Sequence, residues 1–115
     1  MINAKEEFLD HVNKMDILCC DISKEIEYDH FKNYCLTTGY TTEDYDEFIR
    51  KLDFKYDNGY GSQNLFGTIW YKDGSWSERS EYDGSEYWSY KACPVIPDHV
   101  KRIDKEREEK LNKIL

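Results

Sequence analysis

Two stretches of the chain carry apolar residues at helical spacing behind a helix-capping signal. A capping box at residues 3–6 precedes apolar positions that recur every three or four residues, which predicts a helix over residues 4–15. Thr41 and Asp44 form a second capping box, and the pattern behind it predicts a helix over residues 42–51. Both segments are amphipathic, so each needs a surface to pack against.

Between these helices the pattern is shorter and more continuous. The apolar run 17–22 has the length of a strand, and the turn-forming residues 28–30 lead into a second alternating stretch that ends near Thr38. We therefore predict a hairpin here. A helix over residues 23–34 is the alternative, because short apolar runs do not separate the two states by periodicity alone.

The second half of the chain has the alternation of an antiparallel sheet. Asp73-Gly74 and Asp83-Gly84 each lie between aromatic-rich runs, which is typical of tight hairpin turns. The prediction is a three-stranded meander within residues 65–92, with strands at about 65–72, 75–82 and 86–92.

If both turns are two-residue type I′ turns, the register puts Arg79 beside Trp88 and Glu81 opposite Glu86. Arg79, Trp70 and Trp88 would then be structural residues. One face would hold Phe66, Trp70, Arg79, Trp88 and Tyr90, and the other Ile69, Tyr71, Trp76, Tyr82 and Tyr87. A three-residue loop with a glycine bulge is the alternative, and it would shift the register and exchange these faces.

After the meander, Pro94 and Pro97 stop the sheet because proline cannot donate to a strand ladder. A last helix is predicted over residues 98–114, with a thin apolar stripe and a broad charged side. This helix would lie on the sheet edge, or it would use its stripe to form a homodimer.

These elements together predict an α+β fold. The expectation is a single domain over residues 1–115, with an antiparallel sheet of three to five strands and about three helices packed mainly on one face. Aromatic residues make up 16% of the chain against a hydrophobic total of 39%. Large rings therefore supply much of the core.

Net charge limits the classes of partner. At -8 the chain repels phosphate backbones and anionic membrane surfaces, so we expect no direct nucleic-acid binding and no membrane association. The same field favours a partner protein with a basic surface. No apolar run spans a bilayer and the first ten residues lack the order of a signal peptide, which predicts a cytoplasmic protein with reduced cysteines.

The sequence carries no recognisable catalytic motif. A nucleophile elbow, a phosphate-binding loop, a dinucleotide fingerprint and a zinc-binding pair of Cys or His are all absent, so we predict no enzyme, no cofactor and no metal. The alternative in this class is a small hydrolase that uses Glu78, Glu81 or Glu86 as paired carboxylates.

One stretch resembles a known group of proteins. The run Trp70-Tyr71-Lys72-Asp73-Gly74-Ser75-Trp76, continuing through Arg79, the segment 81–86 and Trp88, resembles small uncharacterised accessory proteins of tailed bacteriophages. The resemblance covers a third to a half of the chain and carries over no site residues. It implies a protein made inside a bacterial cell.

By analogy with anti-CRISPR and anti-restriction proteins, the resemblance implies a non-enzymatic inhibitor that occupies the nucleic-acid-binding surface of a host defence protein. A virion structural or assembly protein that self-associates is the alternative. The candidate partner-binding residues are the acidic helix start and four sheet positions: Glu43, Asp44, Asp46, Glu47, Trp76, Glu78, Glu81 and Glu86.

Overall fold

The computed structural model describes residues 1–59 and 61–100. Two helices and seven strands lie wholly within them. In chain order these are β1 (Ile2–Asn3), α1 (Ala4–His11), β2 (Ile17–Glu27), β3 (His30–Leu36), α2 (Thr42–Lys51), β4 (Lys55–Tyr56), β5 (Leu65–Tyr71), β6 (Trp76–Tyr82) and β7 (Ser85–Lys91).

Five of the strands form one antiparallel sheet in the order β3-β2-β5-β6-β7, and β1 pairs with β4 in a separate two-stranded sheet. The predicted α+β fold with an antiparallel meander is therefore confirmed. Residues 98–100 are helical. The remainder of the helix predicted over 98–114, and the homodimer contact assigned to it, lies outside the described residues.

Of the two predicted capping boxes, the one at Thr41 and Asp44 forms in full, whereas only the Asn3 half of the other forms. The Asn3 side chain accepts the Glu6 N–H at 3.0 Å, and Thr41 and Asp44 exchange the two hydrogen bonds of a full capping box at 3.1 and 3.0 Å. Helix α2 has the predicted bounds. Helix α1 ends at His11, earlier than predicted, and Lys14 then turns the chain with a φ of 64°.

The hairpin predicted between the helices is confirmed as β2 and β3, so the alternative helix over residues 23–34 is wrong. Asp29 takes the left-handed conformation in the turn, with a φ of 60°. The register shifts between Glu25 and Glu27, which marks a β-bulge next to that turn.

The two turns of the meander are of different kinds. Asp83 and Gly84 have φ values of 51° and 83°, as a type I′ turn requires, and the pairs Arg79–Trp88 and Glu81–Glu86 form as predicted. In the first hairpin the Tyr71 N–H instead donates to the Ser75 carbonyl at 2.9 Å, which closes a three-residue loop that ends at Gly74 with a φ of 90°.

That loop corrects the predicted faces of the sheet. Ile69, not Trp70, lies opposite Ser77, so β5 is shifted by one residue and its side chains exchange sides. The face that packs against the helices, called the inner face, carries Ile69, Tyr71, Arg79 and Trp88. The other, called the outer face, carries Phe66, Trp70, Trp76, Tyr82 and Tyr87.

The core lies between the inner face and the two helices. Phe8 of α1 packs edge-on against both Phe48 of α2 and Trp88 of β7, with ring centroids 5.6 and 6.3 Å apart. The core is completed by buried side chains from both hairpins and from β4: Ile17, Cys20, Ile22, Tyr34, Leu36, Tyr56, Leu65, Ile69 and Tyr71. Both helices therefore lie on one side of the sheet.

Candidate protein-interaction surface

The outer face carries several aromatic side chains that the described residues leave at least partly uncovered. Trp70 is 42% exposed, Tyr87 44% and Phe31 52%, while Phe66 and Trp76 are partly exposed. Phe31 and Phe66 make an edge-on contact with centroids 5.7 Å apart. Trp70 and Trp76 are directly opposed on β5 and β6, next to the loop that joins these strands, so both indoles belong to the same face.

The polar side chains of this face are mostly neutral or acidic. Asp21 and Glu25 of β2 and Glu78 of β6 are its carboxylates, and Lys91 is bound to Glu78 at 2.8 Å. The hydrogen bond and charge of Glu78 hold the pKa of Lys91 above its usual range. The face thus combines ring faces with unpaired carboxylates, a combination that suits cationic groups.

The structure separates the two groups of predicted partner-binding residues. Trp76 and Glu78 lie on the outer face, whereas the acidic start of α2 is exposed on the helix side of the sheet. Glu81 is exposed at the hairpin end, where it accepts the Gly84 N–H at 2.7 Å. Trp70, predicted to be structural, is a surface residue because of the shifted register.

Glu86, predicted to be a partner-binding residue, is instead buried. Its side chain is 3% exposed, and its two oxygens accept the backbone N–H groups of Leu65 and Asn64 and one nitrogen of Arg79, at 2.9, 2.7 and 2.8 Å. A carboxylate with all its partners inside the protein offers no surface contact. Glu86 is therefore part of the core, and its repulsion with Glu81 is avoided because the two side chains have different partners.

Arg79 is the centre of a buried charged cluster. Its guanidinium is 1% exposed and binds Glu86 at 2.8 Å, Glu7 at 3.0 Å and the Tyr56 hydroxyl at 2.8 Å. It also lies over the Trp88 ring at 5.1 Å, as the predicted register required. Burial and a hydrogen bond to Glu7 raise the pKa of Tyr56, so the phenol stays protonated and donates to that carboxylate.

A second set of hydrogen-bonded side chains lies beside this cluster, one helical turn further along α1. His11 Nε2 lies 2.7 Å from the Ser77 hydroxyl, and the Tyr71 hydroxyl lies 2.7 Å from the same oxygen. Burial lowers the pKa of His11, the nearby charge of Glu7 opposes that shift, and Arg79 adds to it. The imidazole also stacks on Trp88, with centroids 6.2 Å apart.

The Ser77–His11 pair has the distance of a nucleophile and its base, but its surroundings are those of a core contact. Ser77 is 0% exposed, so a substrate has no access to its oxygen. Of the carboxylates considered for a hydrolase, Glu78 lies on the outer face and Glu86 is buried on the inner one, bound to Arg79 and to backbone N–H groups. Two buried donors, Arg79 Nε and Trp88 Nε1, have no acceptor among the described residues.

The described residues offer no metal site, because no three His, Cys, Asp or Glu side chains in that part of the chain come close enough together. Cys20 is buried, which raises the pKa of its thiol, while Cys35 and Cys93 are exposed. No described helix has the length and apolar character to cross a membrane.

Comparison with known proteins found no relative of this chain: no protein-family model, no curated protein and no solved structure matches it. The resemblance to bacteriophage accessory proteins therefore stays a prediction. Conclusions about function rest on the surfaces and clusters described above.

The sequence analysis missed Glu7 and Tyr56 as partners of Arg79, and it placed Phe66 and Trp70 on the wrong face. Glu7 and His11 lie one helical turn apart on α1, and this spacing was a usable signal that both face the sheet. Tyr56 and Ser77 gave no such signal, since contacts between residues far apart in sequence depend on the packing of α1 across the sheet.

Proposed function

We propose that this is a non-enzymatic binding protein whose outer face docks on a basic surface of a partner protein. The observation that carries the proposal is the row of exposed rings on β5, β6 and β7, in which Trp70 and Tyr87 are more than 40% exposed. Aromatic side chains exposed together on one sheet face are typical of binding sites, because they bury large areas at little entropic cost.

The charges of the outer face favour a cationic partner. Asp21, Glu25 and Glu78 outnumber Lys91, and Lys91 is already paired. Arginine side chains can stack on indole rings while they bind a neighbouring carboxylate, and such side chains are concentrated on nucleic-acid-binding proteins. Direct binding of nucleic acid is disfavoured, since single-strand-binding sheets place cations among their rings.

We infer the biological role from the bacteriophage resemblance. A protein of net charge -8 that covers a basic groove would exclude nucleic acid from it and so inhibit a host defence or nucleic-acid-processing protein. The role does not require catalysis, and it makes the host protein, not a small molecule, the ligand.

The test is affinity capture from a bacterial host lysate, combined with assays of phage restriction and CRISPR interference in cells that express the protein. The surface variant is Trp70→Ser/Trp76→Ser. The matched control is Leu9→Ser/Tyr28→Ser, which removes two exposed apolar side chains away from the outer face. We expect the surface variant to lose capture and inhibition, and the control to retain both.

A captured partner must also be released by added nucleic acid, because the proposal requires the two ligands to compete. Capture that nucleic acid does not affect, or inhibition that survives in Trp70→Ser/Trp76→Ser, would contradict it. Concentration-dependent self-association in sedimentation, lost in the surface variant, together with the protein's presence in purified virions, would instead support the structural alternative.

A further inference from the structure

The outer edge of β3 offers hydrogen-bonding groups that no described strand uses. In the five-stranded sheet β3 is the terminal strand and pairs with β2 alone. The Glu25 N–H points toward β5, where it donates to the Asn64 carbonyl at 2.9 Å. Because backbone groups alternate in direction along a strand, Lys24 and every second residue before it point toward β3.

The register then decides which groups of β3 are free. Lys32, Tyr34 and Leu36 oppose those β2 residues and direct their N–H and carbonyl groups inward. The intervening residues, Phe31, Asn33 and Cys35, direct theirs outward. These outward groups have the spacing that the backbone of an added strand, parallel or antiparallel, needs for hydrogen bonding.

The opposite edge of the sheet is different. On β7 the outward N–H of Glu86 already donates to the Asn58 carbonyl at 2.9 Å, so the loop before β5 occupies the start of that edge. The β3 edge also lacks the proline and the mid-strand bulge that natural proteins use to block strand addition. Among the described residues, β3 therefore has a fully unpaired outer edge, whereas the β7 edge is occupied at its start.

A groove of about 270 Å³ runs between this edge and α2. Tyr34, Leu36 and Phe48 supply its apolar lining, and Asp44, Glu47 and Lys51 line it from the helix. An added strand would direct every second side chain to the inner side, toward α2. The groove is therefore placed to receive side chains from a peptide held by the edge.

The charge of α2 gives the chemistry of those side chains. Of the acidic residues at the start of α2, Asp44 and Glu47 line the groove, whereas Glu43 and Asp46 do not. Glu47 binds both Arg50 and Lys51, at 2.6 and 3.9 Å, and Asp44 makes no ion pair with a described residue. Lys51 is the one cation among the lining residues, so Asp44 and Glu47 leave the groove side of α2 net acidic. Lys or Arg at alternate positions of an added strand would meet these carboxylates.

We propose that the β3 edge and the acidic groove beside it bind an extended basic peptide segment as a sixth strand of the sheet. This site is distinct from the outer face, and it assigns the acidic start of α2 a ligand of its own. Backbone hydrogen bonds to Phe31, Asn33 and Cys35 would hold the segment, and α2 would select its charge.

The probe is a fluorescein-labelled heptapeptide with Lys or Arg at every second position and Val between, measured by anisotropy on the full chain. Two control peptides have the same length: one with Glu in place of Lys and Arg, and one N-methylated at alternate backbone nitrogens. We expect binding of the basic probe alone, with each control at least about tenfold weaker.

The charge of the groove is tested with Asp44→Asn/Glu47→Gln, since Asn preserves the cap. The matched control is Glu6→Gln/Asp10→Asn, which makes the same charge change on the exposed side of α1. The groove variant should bind the probe roughly three- to tenfold more weakly, the effect of two exposed ion pairs, and the control should change it by less than about twofold.

The edge is tested by hydrogen exchange and by Cys35→Pro against Cys35→Ala. In the free chain the Phe31, Asn33 and Cys35 amides should exchange quickly, and the probe should protect them. Cys35→Pro, which removes an outward N–H, should abolish binding, and Cys35→Ala should not. Outward amides already protected without peptide, equal binding of the N-methylated probe, or no binding at all would overturn the proposal, whether or not the outer-face variant keeps its partner.

Discussion

Replacing Arg79 with alanine should cause the largest loss of stability of any single charged residue described in the structure. The change removes the cation that binds Glu7 of α1 and Glu86 of β7, and leaves both carboxylates without this counter-charge between the helix and the sheet. Breaking a buried ion pair by removing one partner costs about 3–5 kcal/mol. The free energy of unfolding of a whole domain is only about 5–15 kcal/mol.

The assay is urea and thermal unfolding of Arg79→Ala beside the parent. At about 4 °C per kcal/mol for a domain of this size, the expected fall in Tm is roughly 12–20 °C. Lys91→Ala is the control, because it breaks an exposed, solvent-screened ion pair with Glu78 and should leave the thermal melt close to that of the parent. Arg79→Lys should recover only part of the loss, since one ammonium cannot replace a planar guanidinium that binds several groups.

A triple variant separates the charge effect from lost packing. Arg79→Met combined with Glu7→Gln and Glu86→Gln removes the cation and both charges, so it should be more stable than Arg79→Met alone. A fall in Tm of less than about 3 °C for Arg79→Ala, or no gain in the triple variant, would refute the assignment of a buried charged cluster.

Three further outcomes follow from single sites. Gly67→Ala should lower the free energy of unfolding in urea by at least about 3 kcal/mol, since its Cβ would lie 2.3 Å from a carbonyl oxygen of β2. Gly39 also has a positive φ but has open space around it, so Gly39→Ala should lower that free energy by only about 1 kcal/mol. Burial lowers the pKa of His11, so the unfolded chain binds the proton more readily, and the free energy of unfolding should fall as the pH drops from about 7 to 5. His11→Gln should flatten this pH profile of stability, and an unchanged profile in the variant would contradict the reasoning. Glu81→Gln should leave the thermal melt within about 0.5 kcal/mol of the parent, because that side chain is exposed.

Features set by neighbouring residues could be predicted from the sequence. The capping box at Thr41 and Asp44 predicted the start of α2, and Asp83-Gly84 predicted a type I′ turn and with it the pairing of Arg79 with Trp88. In each case the deciding hydrogen bonds or backbone angles lie within a few residues, so a short window of sequence contains the cause.

The first hairpin shows where that window fails. Asp73-Gly74 is as good a turn signal as Asp83-Gly84, yet the chain forms a three-residue loop there, in which the Asp73 carboxylate accepts the Ser75 N–H at 2.9 Å. The longer loop buries Ile69 and Tyr71 and leaves Trp70 on the outer face. The local sequence allows a two-residue or a three-residue loop here, and the choice between them depends on which side chains of β5 the helices cover.

Composition and short stretches of sequence are enough to predict the class of fold, the starts of both helices, the hairpin of β6 and β7, and the acidic character of the chain, because each depends on composition or on residues close together. The tertiary structure alone decided which rings are exposed, that Glu86 is internal, and that Arg79 is bound by Glu7, which lies 72 positions away. Such contacts form only when α1 packs across the sheet. That packing takes Arg79 out of water, and a buried charge is unfavourable unless carboxylates pair with it.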